Sequence, residues 1–303
     1  MVDQTTTTST ATARTTSPPT AAKAVVLYGY ATSPFVNKVA HFLQYKKISF
    51  QHVAVNPIFP FLQLHRFPGQ RKVPVLTIDD DWKADSTSIG IWLDEQFPAH
   101  PKLLGDTPQE TQAILALDEW VTNELIAELF RTVVDWNGRP WEAIEKGWRL
   151  ASILQDFTPI PFFIRWFWPI ILRFVPFIRR FAYPTTPLLL TLVPSVLDTN
   201  ESLEDMRARQ RQEFVHHLGG GPYLGGRKTV SLADLSAFSV LTTFRFWGLH
   251  FGPAPFLQHK DTVAWLHRVQ AQLPNNPTVM PDRFMEWSLP CVSKLTQDAG
   301  DSS

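Results

Sequence analysis

The sequence holds a single cysteine, Cys291, so no intramolecular disulfide and no CxxC redox pair can form. That scarcity fits a reducing compartment, and the expected location is cytoplasmic. Cys291 lies in an expected flexible tail, 291–303, with no landmark residue around it, which makes it a poor nucleophile candidate. Charge of one sign is missing as well. Lys and Arg together number 28 and Asp and Glu 28, so no basic field exists to steer nucleic acid, and none is expected as a partner. Residues 1–23 are Thr, Ala, Ser and Pro with hardly a large apolar side chain, and read as a disordered tail. This stretch lacks the apolar centre of a secretory signal; its hydroxyl-rich, acid-poor composition leaves organelle targeting open.

What is present begins with a short apolar run, Val25 to Tyr30, suited to a buried strand. Ser33-Pro34 follows, a preferred N-cap and a preferred first helical residue, and Val36, Val39, Ala40 and Leu43 continue at helical spacing. Phe50 to Val55 reads as a second strand closed by Pro57 and Pro60, with a short helix around Phe61 to Arg66. Val73 to Ile78 is a strand entered through Pro74, Asp79 to Asp81 a turn, and Trp82 to Ala84 a brief return strand. Asp85-Ser86 caps a helix with the stripe Ile89, Leu93 and Phe97. The order is β-α-β-α-β-β-α over 24–98, a small α/β unit, and 99–107 reads as a linker.

The remainder, 108–290, reads as helical. A Thr-Pro signal starts one long periodic segment from Pro108 to about Asp135. Val230-Ser231-Leu232-Ala233-Asp234-Leu235 is a complete helix start, with a reciprocal Ser231–Asp234 capping box and a Val230–Leu235 staple. A last helix is expected around Thr262 to Leu273. His216 and His217 are adjacent and cannot share a helix face, so no metal site is expected there, and Gly219 to Gly221 reads as a loop.

An α/β unit of this order followed by an all-helical domain resembles the glutathione transferase superfamily, with a thioredoxin-like N-terminal domain. Ser33-Pro34-Phe35 is similar to the start of the first helix in tau-class members, and Lys72-Val73-Pro74-Val75-Leu76 to the loop whose proline is cis in that superfamily. Asp85-Ser86 resembles its acidic-Ser pair, and Ser231 to Asp234 its helix-start box. Leu27 to Pro57, Arg71 to Leu76 and Tyr223 to Leu235 look most like the prostaglandin E synthase type-2-like group. That group carries Cys-Pro-Phe-Cys where this chain has Ser33-Pro34-Phe35-Val36, so both thiols are absent here.

The resemblance implies glutathione as co-substrate and a two-fold homodimer. It implies that Phe35, Lys72, Val73, Pro74, Asp85 and Ser86 form the tripeptide site. A cis bond before Pro74 would turn the Val73 backbone toward the cysteinyl amide, and Asp85 would face the γ-glutamyl ammonium. Arg71 and Lys72 either help with the glycyl carboxylate or are simply solvated. Ser33 is the candidate catalytic residue. Lowering a thiol pKa from about 8.5 by about two units takes roughly 2.7 kcal/mol. A hydrogen bond to a charged group contributes about 1.5–3 kcal/mol and a helix N-terminus roughly 0.3–1. One serine at a helix start can therefore suffice. Ser33 also reads as a plain N-cap, and the two roles are compatible because a capping hydroxyl keeps its own proton; Thr32 is a second donor.

One segment stands apart. From Phe157 to Leu197 there is neither Asp, Glu nor Lys, while eight Phe and Trp residues between 162 and 181 crowd around Arg165, Arg173, Arg179 and Arg180. The arginines and Pro161, Pro169, Pro176 and Pro184 interrupt any run long enough to span a bilayer. It is either a broken helical insertion walling an apolar pocket or forming a domain or dimer contact, or a peripheral membrane segment. The expected function is conjugation or isomerisation of a hydrophobic electrophile with glutathione. The alternative is a transferase-fold binding module that has lost catalysis, with or without membrane association.

Overall fold

The computed structural model describes residues 23–56, 61–136, 138–157, 166–170, 173, 201–249 and 259–285. The expected N-terminal tail, Pro57 and Pro60, most of 157–197, and Cys291 with the C-terminal tail lie outside the described residues.

Strands β1 (Val25–Gly29), β2 (Gln51–Ala54), β3 (Val75–Ile78) and β4 (Asp81–Ala84) form one sheet in the order β2-β1-β3-β4. β1 and β2 run parallel, joined by helix α1 (Pro34–Tyr45), while β3 is antiparallel to both β1 and β4. The turn between β3 and β4 is tight because Asp79 adopts φ 54, a left-handed conformation that Asp tolerates. Its carboxylate accepts from the Ala24 amide at 2.8 Å, fastening the start of the unit. Helix α2 (Phe61–Leu64) is shorter than the expected span to Arg66, and α3 (Ser86–Gln96) completes the α/β unit.

Side chains alternate across the pleat. Leu27 and Leu76 point into the main core, and Tyr28 and Val75 into a smaller cluster with Val55, Leu64 and Phe67. The expected α1 stripe is buried, but so are Asn37, Lys38, His41 and Phe42. α1 is buried around its circumference because it lies between the sheet and a helix of the second unit.

That unit contains α4 (Pro108–Trp120), α5 (Ile126–Val134), α6 (Pro140–Phe157), α7 (Leu203–Leu218), α8 (Leu232–Thr242) and α9 (Lys260–Gln270). The segment expected as one helix from Pro108 to Asp135 is interrupted by a wide π turn, Val121–Leu125. The Gln210 amide of α7 donates to the Glu124 carbonyl at 2.6 Å, so a side chain reaches into the widened turn. At the start of α8 the capping box closes both ways. The Asp234 carboxylate, buried, accepts from the amides of Leu224 and Ser231, the Ser231 hydroxyl and the Trp265 indole, all within 2.9 Å. Burial pushes this carboxyl above its usual range, and the four donors pull it back.

The two units share one continuous core. The linker is fastened to both: Asp94 accepts from the amides of Leu103 and Leu104 and pairs with buried Lys46 at 2.7 Å, while the Leu103 carbonyl accepts from Leu232 at 2.8 Å. α3 packs so closely on α8 that a Cβ on Gly90 would lie 2.5 Å from Leu232 Cδ1.

Candidate functional site

Sheet register brings the expected site residues to one edge. Tyr28 pairs with Val75, and Val75 with Ala84. The end of β1, the beginning of β3 and the end of β4 therefore lie side by side. The segments attached there carry Ser33, Val73-Pro74 and Asp85-Ser86 respectively.

Ser33 is the N-cap of α1, with φ −82 and ψ 123, and its Oγ accepts from the Val36 amide at 3.4 Å. Only 5% of it is exposed. Its hydroxyl proton has no acceptor among the described residues, so the hydroxyl caps the helix and still has a hydrogen bond to give. Phe35 is half-buried against the core, and its amide belongs to the first turn, whose N–H groups have no intrahelical acceptor. The loop before the helix is closed by Ser33 N donating to the Tyr30 carbonyl at 3.0 Å. Burial raises the Tyr30 phenol above its ordinary range. His52 lies beneath the loop, with Nε2 at 2.9 Å from the Gly29 carbonyl, and burial lowers its pKa.

The Val73–Pro74 bond is cis. Pro74 is buried, Val73 half-buried, and Arg71 and Lys72 are exposed, the Lys72 carbonyl accepting from Gln70 Nε2 at 2.6 Å. Asp85 caps α3, its Oδ1 accepting from the Ser88 amide at 2.9 Å. Its backbone sits at φ 71 and ψ 123, strained for a residue with a Cβ. Ser86 beside it is buried at the helix N-terminus. The edge thus carries two helix N-termini, a free hydroxyl proton and one exposed carboxylate, a donor and acceptor set suited to a small zwitterion.

Residues outside the expected set hold this edge in place. Asn37, fully buried, donates from Nδ2 to the carbonyls of Ala31 at 2.7 Å and Ser33 at 3.1 Å. Its Oδ1 accepts from the Val279 amide at 3.4 Å, tying the segment after α9 to the Ser33 loop. Ser239 of α8 donates to the Pro34 carbonyl at 2.6 Å. Lys38 bonds both oxygens of Asp118 on α4, at 2.7 and 2.9 Å, and Thr87 Oγ1 at 3.0 Å. Thr87 in turn donates to Asp118 at 2.5 Å, so α1, α3 and α4 meet in one buried polar cluster next to Ser86. The sequence signal for it was weak: polar residues inside a helix become conspicuous only once that helix is known to be covered on every side.

Residues 27–101 match the family model described as glutathione S-transferase, N-terminal domain. The fold of the chain is that of the glutathione transferases. It superposes on a tau-class glutathione S-transferase of mango, Mangifera indica, with a TM-score of 0.51 and 16% identity, over 92% of this chain and 99% of the other. A glutathione S-transferase of Rhodospirillum rubrum gives 0.53 and 16%, over 86% and 98%. The β-etherase LigF of Sphingobium sp. gives 0.51 and 17%, over 90% and 99%. No curated protein matches the chain in sequence. The similarity to the solved structures is one of fold, whereas the family match is a sequence match confined to the α/β unit and the first residues after it.

Proposed function

We propose that the protein is a glutathione-dependent transferase of the serine type. The observation that carries this reading is the buried Ser33 hydroxyl, capping α1 with its proton unspent, on the same sheet edge as cis-Pro74 and the Asp85-Ser86 helix start. In this reading the Val73 backbone pairs with the cysteinyl unit of glutathione, and Ser86 with the α3 N-terminus receives the γ-glutamyl carboxylate. Asp85 faces the γ-glutamyl ammonium, and Lys72 stands where the glycyl carboxylate would end. Ser33 donates to the sulfur as the thiol proton passes to water. The thiolate either adds to an electrophilic carbon of an apolar co-substrate, which then takes a proton from water, or displaces a leaving group that departs with its bonding electron pair. Ser33 is not itself the nucleophile. Disulfide exchange through an enzyme cysteine is not part of this reading, since Ser33 and Val36 stand where the prostaglandin E synthase type-2-like group has thiols.

The extra aromatic and Arg-rich segment, 157–197, and Ser33 and Val36 in place of both thiols favour a second reading, a binding module without catalysis. Calorimetry with glutathione, paired with conjugation assays on wild type and Ser33→Ala, separates the two. Binding and turnover, with turnover lost in the variant, support the transferase. Binding without turnover across a broad electrophile panel supports the module, and absence of both removes the glutathione reading altogether.

A further inference from the structure

Among the described residues, eight large hydrophobic side chains are exposed, and six of them come from two neighbouring stretches: Trp141, Ile144 and Trp148 of α6, and Trp166, Phe167 and Ile170 just beyond it. The spacing of the first three, i, i+3 and i+7, puts them on one face of α6. The two stretches form one surface. The rings of Trp148 and Trp166 meet edge to face at 5.8 Å, and a Cβ on Gly147 would lie 2.6 Å from the Pro169 backbone.

α6 is apolar on both sides. Ala143, Ala151 and Ile153 face the core, while Trp141, 58% exposed, and Ile144 face outward, an arrangement expected of a helix that meets a second apolar medium. The edge of the face is cationic. The Arg139 guanidinium lies 5.2 Å over the Trp141 ring, and exposed Arg173 donates to the Gly138 carbonyl at 3.3 Å. Of the acidic residues nearby, Glu142 accepts from the Arg139 amide at 3.3 Å and lies 3.9 Å from Lys146, and Glu145 is exposed. The sequence around the second stretch, 157–197, adds three more arginines, Arg165, Arg179 and Arg180, and neither Asp, Glu nor Lys.

We propose that this face is a docking surface for the headgroup region of an anionic lipid membrane. Indole and phenyl rings enter at the depth of the acyl-chain boundary, and the guanidinium groups meet lipid phosphates. Contact is peripheral, since no helix among the described residues is long and apolar enough to cross a membrane. The inference is independent of glutathione chemistry.

Vesicle flotation of the full chain tests it, with phosphatidylcholine vesicles compared with vesicles that also contain phosphatidylserine. Wild type floats with the anionic vesicles and is released by salt, and Trp141→Glu with Phe167→Glu lowers partitioning about tenfold or more. Leu62→Glu, a substitution at an equally exposed apolar residue of the α/β unit, leaves partitioning unchanged. Should the double variant misfold, quenching of wild-type tryptophan fluorescence by brominated acyl chains reads the same contact. Absence of flotation and quenching in wild type overturns the proposal. So does equal partitioning of a folded double variant, or a face that proves to be covered by a second copy of the chain in solution.

Discussion

His41 makes a sharp prediction about acid stability. It sits on α1 against α8, fully buried, its ring edge-on to Phe238 at 5.3 Å, and neither ring nitrogen has a hydrogen-bond partner in good geometry among the described residues. Burial pushes its pKa down to about 3 from the ordinary 6.5, with a smaller opposing pull from the Leu235 backbone. In the folded chain the ring stays neutral, whereas the unfolded chain takes up a proton below pH 6.5. Stability is therefore lost as pH falls from about 6.5 toward 3, at about 1.4 kcal/mol per pH unit, and at pH 5 the loss is about 2 kcal/mol. That is a large fraction of the 5–15 kcal/mol typical of a folded protein, roughly speaking. The assay is urea unfolding of wild type and His41→Leu at pH 7 and pH 5. The other titrating groups are common to both proteins, so His41→Leu should gain about 2 kcal/mol on wild type between the two pH values. Parallel pH dependences in the two proteins would mean that His41 takes up its proton alike in the folded and the unfolded chain, contrary to this expectation.

Lys38→Met strands the buried Asp118 carboxylate and should cost about 3–5 kcal/mol in urea unfolding, most of it recovered by adding Asp118→Leu. Asn37→Ala removes two donors from the Ser33 loop and the acceptor of the Val279 amide. We expect a loss of about 2–3 kcal/mol by the same assay, with turnover falling further than the stability loss explains, because Ser33 is no longer held.

Locally encoded features were legible in the sequence. Ser33-Pro34, Asp85-Ser86 and the Ser231–Asp234 box each begin a helix with groups only a few residues apart, and each starts one in the structure. The turn at Asp79 and Asp80 has the same local origin. What was not legible depends on packing between distant segments. Asn37, Lys38 and His41 belong to a helix whose apolar stripe reads as one-sided; Phe238 of α8 meets His41, Asp118 of α4 and Thr87 of α3 enclose Lys38, and Val279 beyond α9 reaches Asn37. The π turn at Val121–Leu125 answers to Gln210, eighty-odd positions away. Trp265 reaches Asp234 from a different helix, and Val279 reaches Asn37 from beyond α9. The segment after Phe157 reads either as a pocket wall or a domain or dimer contact, or as a membrane contact. Trp166, 63% exposed, and Phe167 face outward.

The proposed function requires Ser33 to lower the pKa of a thiol bound at this sheet edge. Ultraviolet difference titration of glutathione bound to the full chain measures that pKa directly. The expected thiol pKa is about two units below the free value of about 8.5 in wild type, with a return toward about 8.5 in Ser33→Ala. The same thiol pKa in both proteins, with glutathione bound in each, would contradict it.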